Sequence, residues 1–419
     1  MGNPLKSPIR RLYNACTTPS SRNAHLLLGH KGCGKSTELH NLKRDFNNAG
    51  HPVHMIHANL ESDLHRITHW DILLLITDGL CQIARDTETP IHDTTLEALY
   101  AMLKTDMKLT ETRGRSVNME ASGGVELNMP PVLRSVLNLF VSLKGSIKAG
   151  TNIIETVEEE MKKKASDWLM YTAEISSAIK DKCNLKEPII IFEDLDRLPE
   201  PAKIFELLSY SVLSQMPFPV IYTFPISQCY APKYPETRAS FTAHTLPMIK
   251  VSDFKNRAAV DEGLRVIRNI VELRADLCLF DEPGDVLNML IKKTGGSLRH
   301  LFECINHAAE MADWDNATKI EPTHANSALE DLRIELTKTL GHQEIEMLKA
   351  MYDDDKLRKQ IGEKELLLQM MNASVILEYQ NGGHWHDLHP LVADYLDELG
   401  PVPTTETGPK GNRNRNRGQ

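Results

Sequence analysis

Residues Gly29 to Ser36 read Gly-His-Lys-Gly-Cys-Gly-Lys-Ser, which satisfies the spacing G-x-x-x-x-G-K-[ST] of a phosphate-binding loop. Gly29, Gly32 and Gly34 let the backbone curl so that successive N–H groups converge on an anion, and the helix expected to follow adds its positive N-terminal end. Lys35 is expected to reach the β- and γ-phosphates of a nucleotide and the Ser36 hydroxyl to bind Mg2+. Lys31 and Cys33 belong to the same binding set, Cys33 at a variable position, and Thr37 supports the loop.

Such a loop needs acids to hold the metal and the attacking water. The run Ile189-Ile-Ile-Phe-Glu193-Asp194-Leu-Asp196-Arg197 supplies them, because a strand buried on both faces delivers carboxylates at its C-terminal tip, where parallel sheets bind ligands. One register gives Glu193 the metal and Asp194 the water; the other makes Asp194 the metal ligand with Asp196 beside it.

The surrounding pattern supplies the elements that position these groups. "HLLL" reads as a short strand, "STELHNLKRDFNNAG" as a helix closed by Gly50, "HPVHMIHANL" as a second strand and "HWDILLLITDGLCQIARD" as a second helix, the order in which a parallel α/β sheet begins. From about residue 105 to 150 the pattern turns to period-two alternation in "VELNM" and "LNLFVSLKGSIKAG", which predicts a β-rich insertion. A long amphipathic helix then leads to the acidic strand, followed by strands "FPVIYTFP" and "HTLPMIKV". Beyond Ser252 four helical segments follow one another. The last piece, opening with two helical segments and ending in two alternating strands around Asn381-Gly382, predicts a winged helix with a hairpin.

These motifs, in this order, resemble the AAA+ ATPases of the origin-recognition type and the related STAND signalling ATPases of prokaryotes, over roughly Ala24 to Tyr395. The resemblance implies an α/β fold: a P-loop NTPase parallel sheet of AAA+ type with a β-rich insertion, a helical lid and a C-terminal winged-helix domain. It places a lead segment at 1–23, the ATPase core at 24–251, the lid at 252–338, the winged helix at 339–400 and a disordered tail at 401–419. It also assigns roles: Thr223 as the polar sensor at the tip of the strand after the acidic one, Arg299 in "GGSLRH" as the sensor on the lid, and Arg238 in "PETRAS" as an arginine finger toward a neighbouring subunit. The Glu-Asp order at the strand tip departs from the commoner Asp-Asp or Asp-Glu and implies slow hydrolysis or a nucleotide-held switch.

Composition bounds the rest. The chain has 419 residues with 48 Lys and Arg against 57 Asp and Glu, a formal net charge of −9, so nothing global draws it to nucleic acid or anionic lipid. Seven scattered cysteines without a Cys-x-x-Cys pair argue against a disulfide framework or a zinc site. No apolar h-region opens the chain and Lys6 stands where N-myristoylation wants Ser or Thr, so a cytoplasmic protein off the membrane is expected. His384, His386 and His389 cluster at the hairpin but with no nearby Cys and few fixed acids, which favours an ordinary hairpin surface over a metal site. DNA is weighed and not favoured: the tail "KGNRNRNRGQ" is basic, but the second winged-helix segment, "GEKELLLQMMNA", lacks a reading face. The expected function is an ATP- and Mg2+-dependent molecular switch, a homo-oligomer controlling a separate protein partner, with an antiviral-defence setting implied by the resemblance. A DNA-binding initiator or loader ATPase and a nucleotide-bound scaffold are the alternatives.

Overall fold

The computed structural model describes residues 7–18, 22–107, 129–148, 164–182, 185–282, 284–360, 365–380 and 383–400. Five parallel strands form its centre: β1 (Ala24–Gly29), β2 (Val53–His57), β3 (Ile189–Glu193), β4 (Val220–Pro225) and β5 (Thr242–Thr245), in the order β2-β3-β4-β1-β5. Their apolar residues sort by parity, as a pleat with two buried faces requires. Leu27, Ile189, Ile191 and Ile221 face helices α1 (Pro8–Thr17) and α2 (Lys35–Asn48). Leu26, Leu28, Ile190, Phe192, Val220, Tyr222 and Phe224 face the other layer, which includes α4 (His69–Asp86), α5 (Asp93–Met107), α6 (Pro131–Lys148) and α7 (Ala165–Asp181); a four-residue helix, α3 (Ala58–Glu61), follows β2. A capping box between Thr68 and Asp71 starts α4, and the Trp168 indole N–H donates to the Thr77 hydroxyl at 2.7 Å inside that layer.

Two sequence expectations need correction. The segment from Leu137 does not form strands but lies in α6, because its apolar residues extend back as Leu133, Val136, Leu137, Phe140 and Leu143, a helical spacing that a window opened at Leu137 hides. The described part of the predicted β-rich insertion is therefore helical, and most of "VELNM" lies outside the described residues, as do the hairpin turn Asn381-Gly382 and the tail. Second, β5 ends at Thr245 rather than running through "HTLPMIKV": Leu246 still donates to the Leu28 carbonyl, but Pro247 has no N–H with which to continue the ladder. Within the lead segment lies α1, whose Tyr13 stacks on Phe46 of α2 at 5.0 Å.

Short helices follow β3 and β4 as α8 (Lys203–Leu208), α9 (Ser211–Ser214) and α10 (Tyr234–Ser240). The four helical segments expected after Ser252 are present as α11 (Asp261–Glu272), α12 (Val286–Lys293), α13 (Leu298–Trp314) and α14 (Pro322–Thr337). The terminal piece contains α15 (His342–Asp353), α16 (Asp355–Lys359), α17 (Glu365–Asn372), the antiparallel pair β6 (Ile376–Gln380) and β7 (His384–Leu388), and α18 (Pro390–Glu398). One apolar core, including Ile267, Leu290, Leu301, Leu329, Leu348 and Val392, runs through both the lid helices and the winged helix.

Candidate nucleotide site

The phosphate loop connects β1 to α2 at the point where the strand order reverses, so its ends are fixed by a buried strand and a buried helix face. Gly32 and Gly34 have φ of +83° and +98°, values that only glycine adopts without strain. A cleft of about 230 Å³ opens there, lined by Lys31, Gly32, Gly34, Lys35, Ser36 and Thr37 of the loop, Asp196 and Arg197 after β3, and Arg274, Leu298, Arg299 and Phe302 of the lid. Five cations against one carboxylate make it an anion site. Its size and charge suit phosphate groups.

Lys35 is buried in the cleft. Its ammonium donates to the carbonyls of Gly29 and His30, both at 2.7 Å, and pairs with Asp196 Oδ2 at 2.9 Å. Burial alone drives each of these two groups toward its neutral form; their mutual attraction outweighs it, holding Asp196 below the usual carboxylate range and Lys35 above the usual amine range. Thr223, buried on β4, helps to lower Asp196. Apart from this weak interaction its hydroxyl has no partner among the described residues, and a phosphate oxygen or a water would satisfy it.

The acids do not all face the same way. Asp196, the acid of the second register, lines the cleft with Lys35. Glu193 and Asp194 face the tip of β2 instead, where His57 Nδ1 lies 3.3 Å from Glu193 Oε2 and 3.8 Å from Asp194 Oδ2. Asp194 has a φ of +72°, a left-handed turn that short polar side chains tolerate and that swings the chain from β3 toward Asp196. Burial raises the Asp194 carboxyl above its ordinary range against the pull of Arg197, whose Nε is 3.0 Å away. Mg2+ fits this donor set: the Ser36 hydroxyl and the carboxylates of the acidic turn are the hard oxygen ligands it prefers.

Two loop positions point elsewhere. Cys33 is buried away from the cleft among Met248, Leu377, Tyr379 and Trp385. Gly29 lies beneath Leu246, whose carbonyl a Cβ at residue 29 would meet at 2.9 Å, and it serves Lys35 through its own carbonyl. Arg238 is exposed on α10, donates to the Phe241 carbonyl at 2.9 Å and does not line the cleft of its own chain.

The lid touches the loop directly. Ser297 caps α13, the Leu298 N–H donates to the Gly32 carbonyl at 3.0 Å, and a Cβ on Gly32 would stand 2.7 Å from that of Arg299. Arg274, past the end of α11, was not singled out in the sequence: it lies in no motif, and its guanidinium reaches the site by stacking 5.3 Å over Phe302. The hairpin meets the loop as well, with the Glu378 N–H donating to His30 Nε2 at 2.8 Å. At the hairpin, His386 contacts the Arg358 carbonyl and the Tyr230 hydroxyl, and His389 contacts His300 and the Leu391 N–H. Both nitrogens of each ring are thus engaged, and both rings are buried rather than on the surface that the sequence suggests.

No protein-family model matches the chain, and no curated protein matches it. Among solved structures it is similar to the ORC1 protein of Aeropyrum pernix in complex with DNA, at 14% identity over 93% of this chain and 91% of that one, with a TM-score of 0.38. It is similar to Cdc6p of Pyrobaculum aerophilum at 12% identity over 94% and 95%, TM-score 0.36. The Thermotoga maritima RuvB Holliday junction branch migration motor gives 11% identity over 94% and 95%, TM-score 0.35. No helix among the described residues is long and apolar enough to cross a membrane. By its five-stranded parallel sheet in the order β2-β3-β4-β1-β5 and its phosphate loop between β1 and α2, the chain has an α/β P-loop NTPase fold, followed by lid helices and a hairpin.

Proposed function

We propose that the protein binds and hydrolyses ATP at this cleft and that the nucleotide sets how the body of lid and winged helix rests on the sheet. The observation that carries this reading is the buried Lys35–Asp196 pair in a cleft with four further cations. When bound, MgATP supplies the transferable phosphoryl group and the cation that neutralises its charge. The loop N–H groups and Lys35 hold the phosphates; Lys35 leaves the carbonyls of Gly29 and His30 to do so. Asp194, whose proton affinity burial raises, orients water and takes up its proton, Glu193 with Ser36 forms the metal side, and Thr223 positions the water. Arg299 and Arg274 report phosphate charge to the lid. Turnover by Asp194→Asn and Asp196→Asn tests the division of labour. Loss of turnover with binding kept in Asp194→Asn supports it; loss of turnover with binding kept only in Asp196→Asn moves the chemistry to the second register.

Two outlets for the switch have structural support. Between the segment before α11 and the winged helix lies a cavity beside Gly383, lined by Lys250, Lys255 and Lys359 with Asp253, Phe254, His384 and Trp385; Asp253 pairs with Lys250 at 3.1 Å, and Lys359 stands 4.9 Å over the Phe254 ring. Cations with aromatic faces suit a nucleic-acid backbone, which favours the DNA-binding initiator or loader reading. Salt-dependent DNA affinity that falls in Lys255→Ala and Lys359→Ala would support it; affinity unchanged by both would remove it. The second reading is control of a protein partner, in the antiviral setting that the resemblance implies. It is favoured by α17, the helix a winged helix would place in a groove, because its Leu367 and Met371 share a core with Ile226. In either reading the protein acts in the cytoplasm as a homo-oligomer, with exposed Arg238 directed at the neighbour's nucleotide.

A further inference from the structure

We propose that His40, His57 and Glu193 form a binding site for a divalent transition metal beside the phosphate cleft, filled when no nucleotide is bound, because Glu193 is also the carboxylate placed on the magnesium side of a bound nucleotide. Three elements bring them together. β2 and β3 pair in parallel with His57 opposite Glu193, so the two side chains leave the same face at adjacent strand tips. His40 comes from α2, which packs on that face, and its ring lies 6.1 Å from that of His57. One ligand atom from each of the three residues falls within 4.8 Å of the others, the only such group of His, Cys, Asp and Glu among the described residues.

The distances suit an ion. Zn2+ holds nitrogen and oxygen at about 2.1 Å, which sets neighbouring donors about 3.0–3.4 Å apart; His57 Nδ1 and Glu193 Oε2 are already 3.3 Å apart. His40 is exposed, so its ring can swing inward without disturbing the core.

The electrostatics also call for a cation. Glu193 and Asp194 are both buried. Asp194 Oδ1 has Arg197, whereas the only basic side chain at ion-pair distance from Glu193, among the described residues, is His57, which is uncharged unless protonated. A buried carboxylate without a full countercharge is costly, and an ion at this point removes that cost, with Asp194 Oδ2 as a further nearby oxygen. Two imidazoles and one carboxylate select zinc, iron, manganese or cobalt over magnesium, which prefers oxygen.

The test uses the full chain without nucleotide. Co2+ is titrated as a spectroscopic probe and Zn2+ by calorimetry, for the wild type, His40→Ala, His57→Ala and Glu193→Gln, with melting curves to check folding; His40, being exposed, can be removed without unfolding. One equivalent of Co2+ with visible ligand-field bands, displaced by Zn2+, unaffected by excess Mg2+ and weakened about 100-fold in each variant, is expected. Lys35→Ala should bind the metal as the wild type does, which keeps this result independent of the nucleotide reading. Absent bands, a sulfur-to-cobalt charge-transfer band marking a cysteine site, or equal affinity in wild type and His40→Ala would each overturn the proposal.

Discussion

The backbone N–H of Glu378, on the first strand of the wing hairpin, donates to Nε2 of His30, the second residue of the phosphate loop, at 2.8 Å. For Nε2 to accept, the ring must be neutral, and burial ensures this by pushing the His30 pKa down to about 4. The same Glu378 accepts from the Tyr230 hydroxyl at 2.8 Å, so the phosphate loop, the turn after β4 and the hairpin share one polar cluster. Replacing His30 by Ala leaves the Glu378 N–H buried without an acceptor, at a cost of about 1–3 kcal/mol. We expect a lower melting temperature and faster hydrogen exchange at Glu378 in His30→Ala, with little change in His384→Ala, where the side chain is exposed. Exchange at Glu378 as slow as in the wild type would show that the contact contributes nothing.

Arg274 and Arg299 reach the same cleft from different parts of the lid. Both are exposed, so each contributes modestly and in a salt-dependent way. Single Ala substitutions should weaken ATP binding about tenfold each at low ionic strength, with the difference shrinking as salt is added. An Arg274→Ala protein that binds as the wild type does would show that this arginine is only stacked on Phe302.

Acid should destabilise the fold through its buried histidines. Burial lowers His25, His30, His244 and His300 to about 4, and His389 well below 6.5. Between pH 6.5 and 4 the unfolded chain takes up protons at these rings while the folded chain does not, so stability falls as pH falls through that window. Asp71, raised by burial to about 6, and Asp194, Glu38 and Glu303, raised by the same cause, act in the opposite sense, while His51 and His54, also lowered by burial, add to the histidine effect. Melting curves should show a falling transition temperature from pH 7 to pH 5; a flat profile would contradict these burial effects.

The sequence carries much of this architecture openly, for physical reasons. The loop is legible because backbone curvature, a point charge and a hydroxyl must occur at fixed spacing, and the strands because fully buried parallel strands are continuous apolar runs such as Ile189–Phe192. The helix α6 is not, since a short window over Leu137, Leu139 and Val141 alternates as a strand would. The orientation of three acids in four residues is equally hidden: it depends on one left-handed residue, Asp194. Contacts such as His30 with Glu378, and the approach of Arg274, join segments far apart in the chain and leave no local signature.

The central claim is that Lys35 and its loop hold the phosphates of ATP, and ATP binding by the purified protein with Mg2+, wild type against Lys35→Ala, tests it most directly. We expect saturable binding by the wild type and its loss in Lys35→Ala while the variant remains folded by circular dichroism. Wild-type protein that binds no ATP, or a folded Lys35→Ala protein that binds it equally well, would contradict the account.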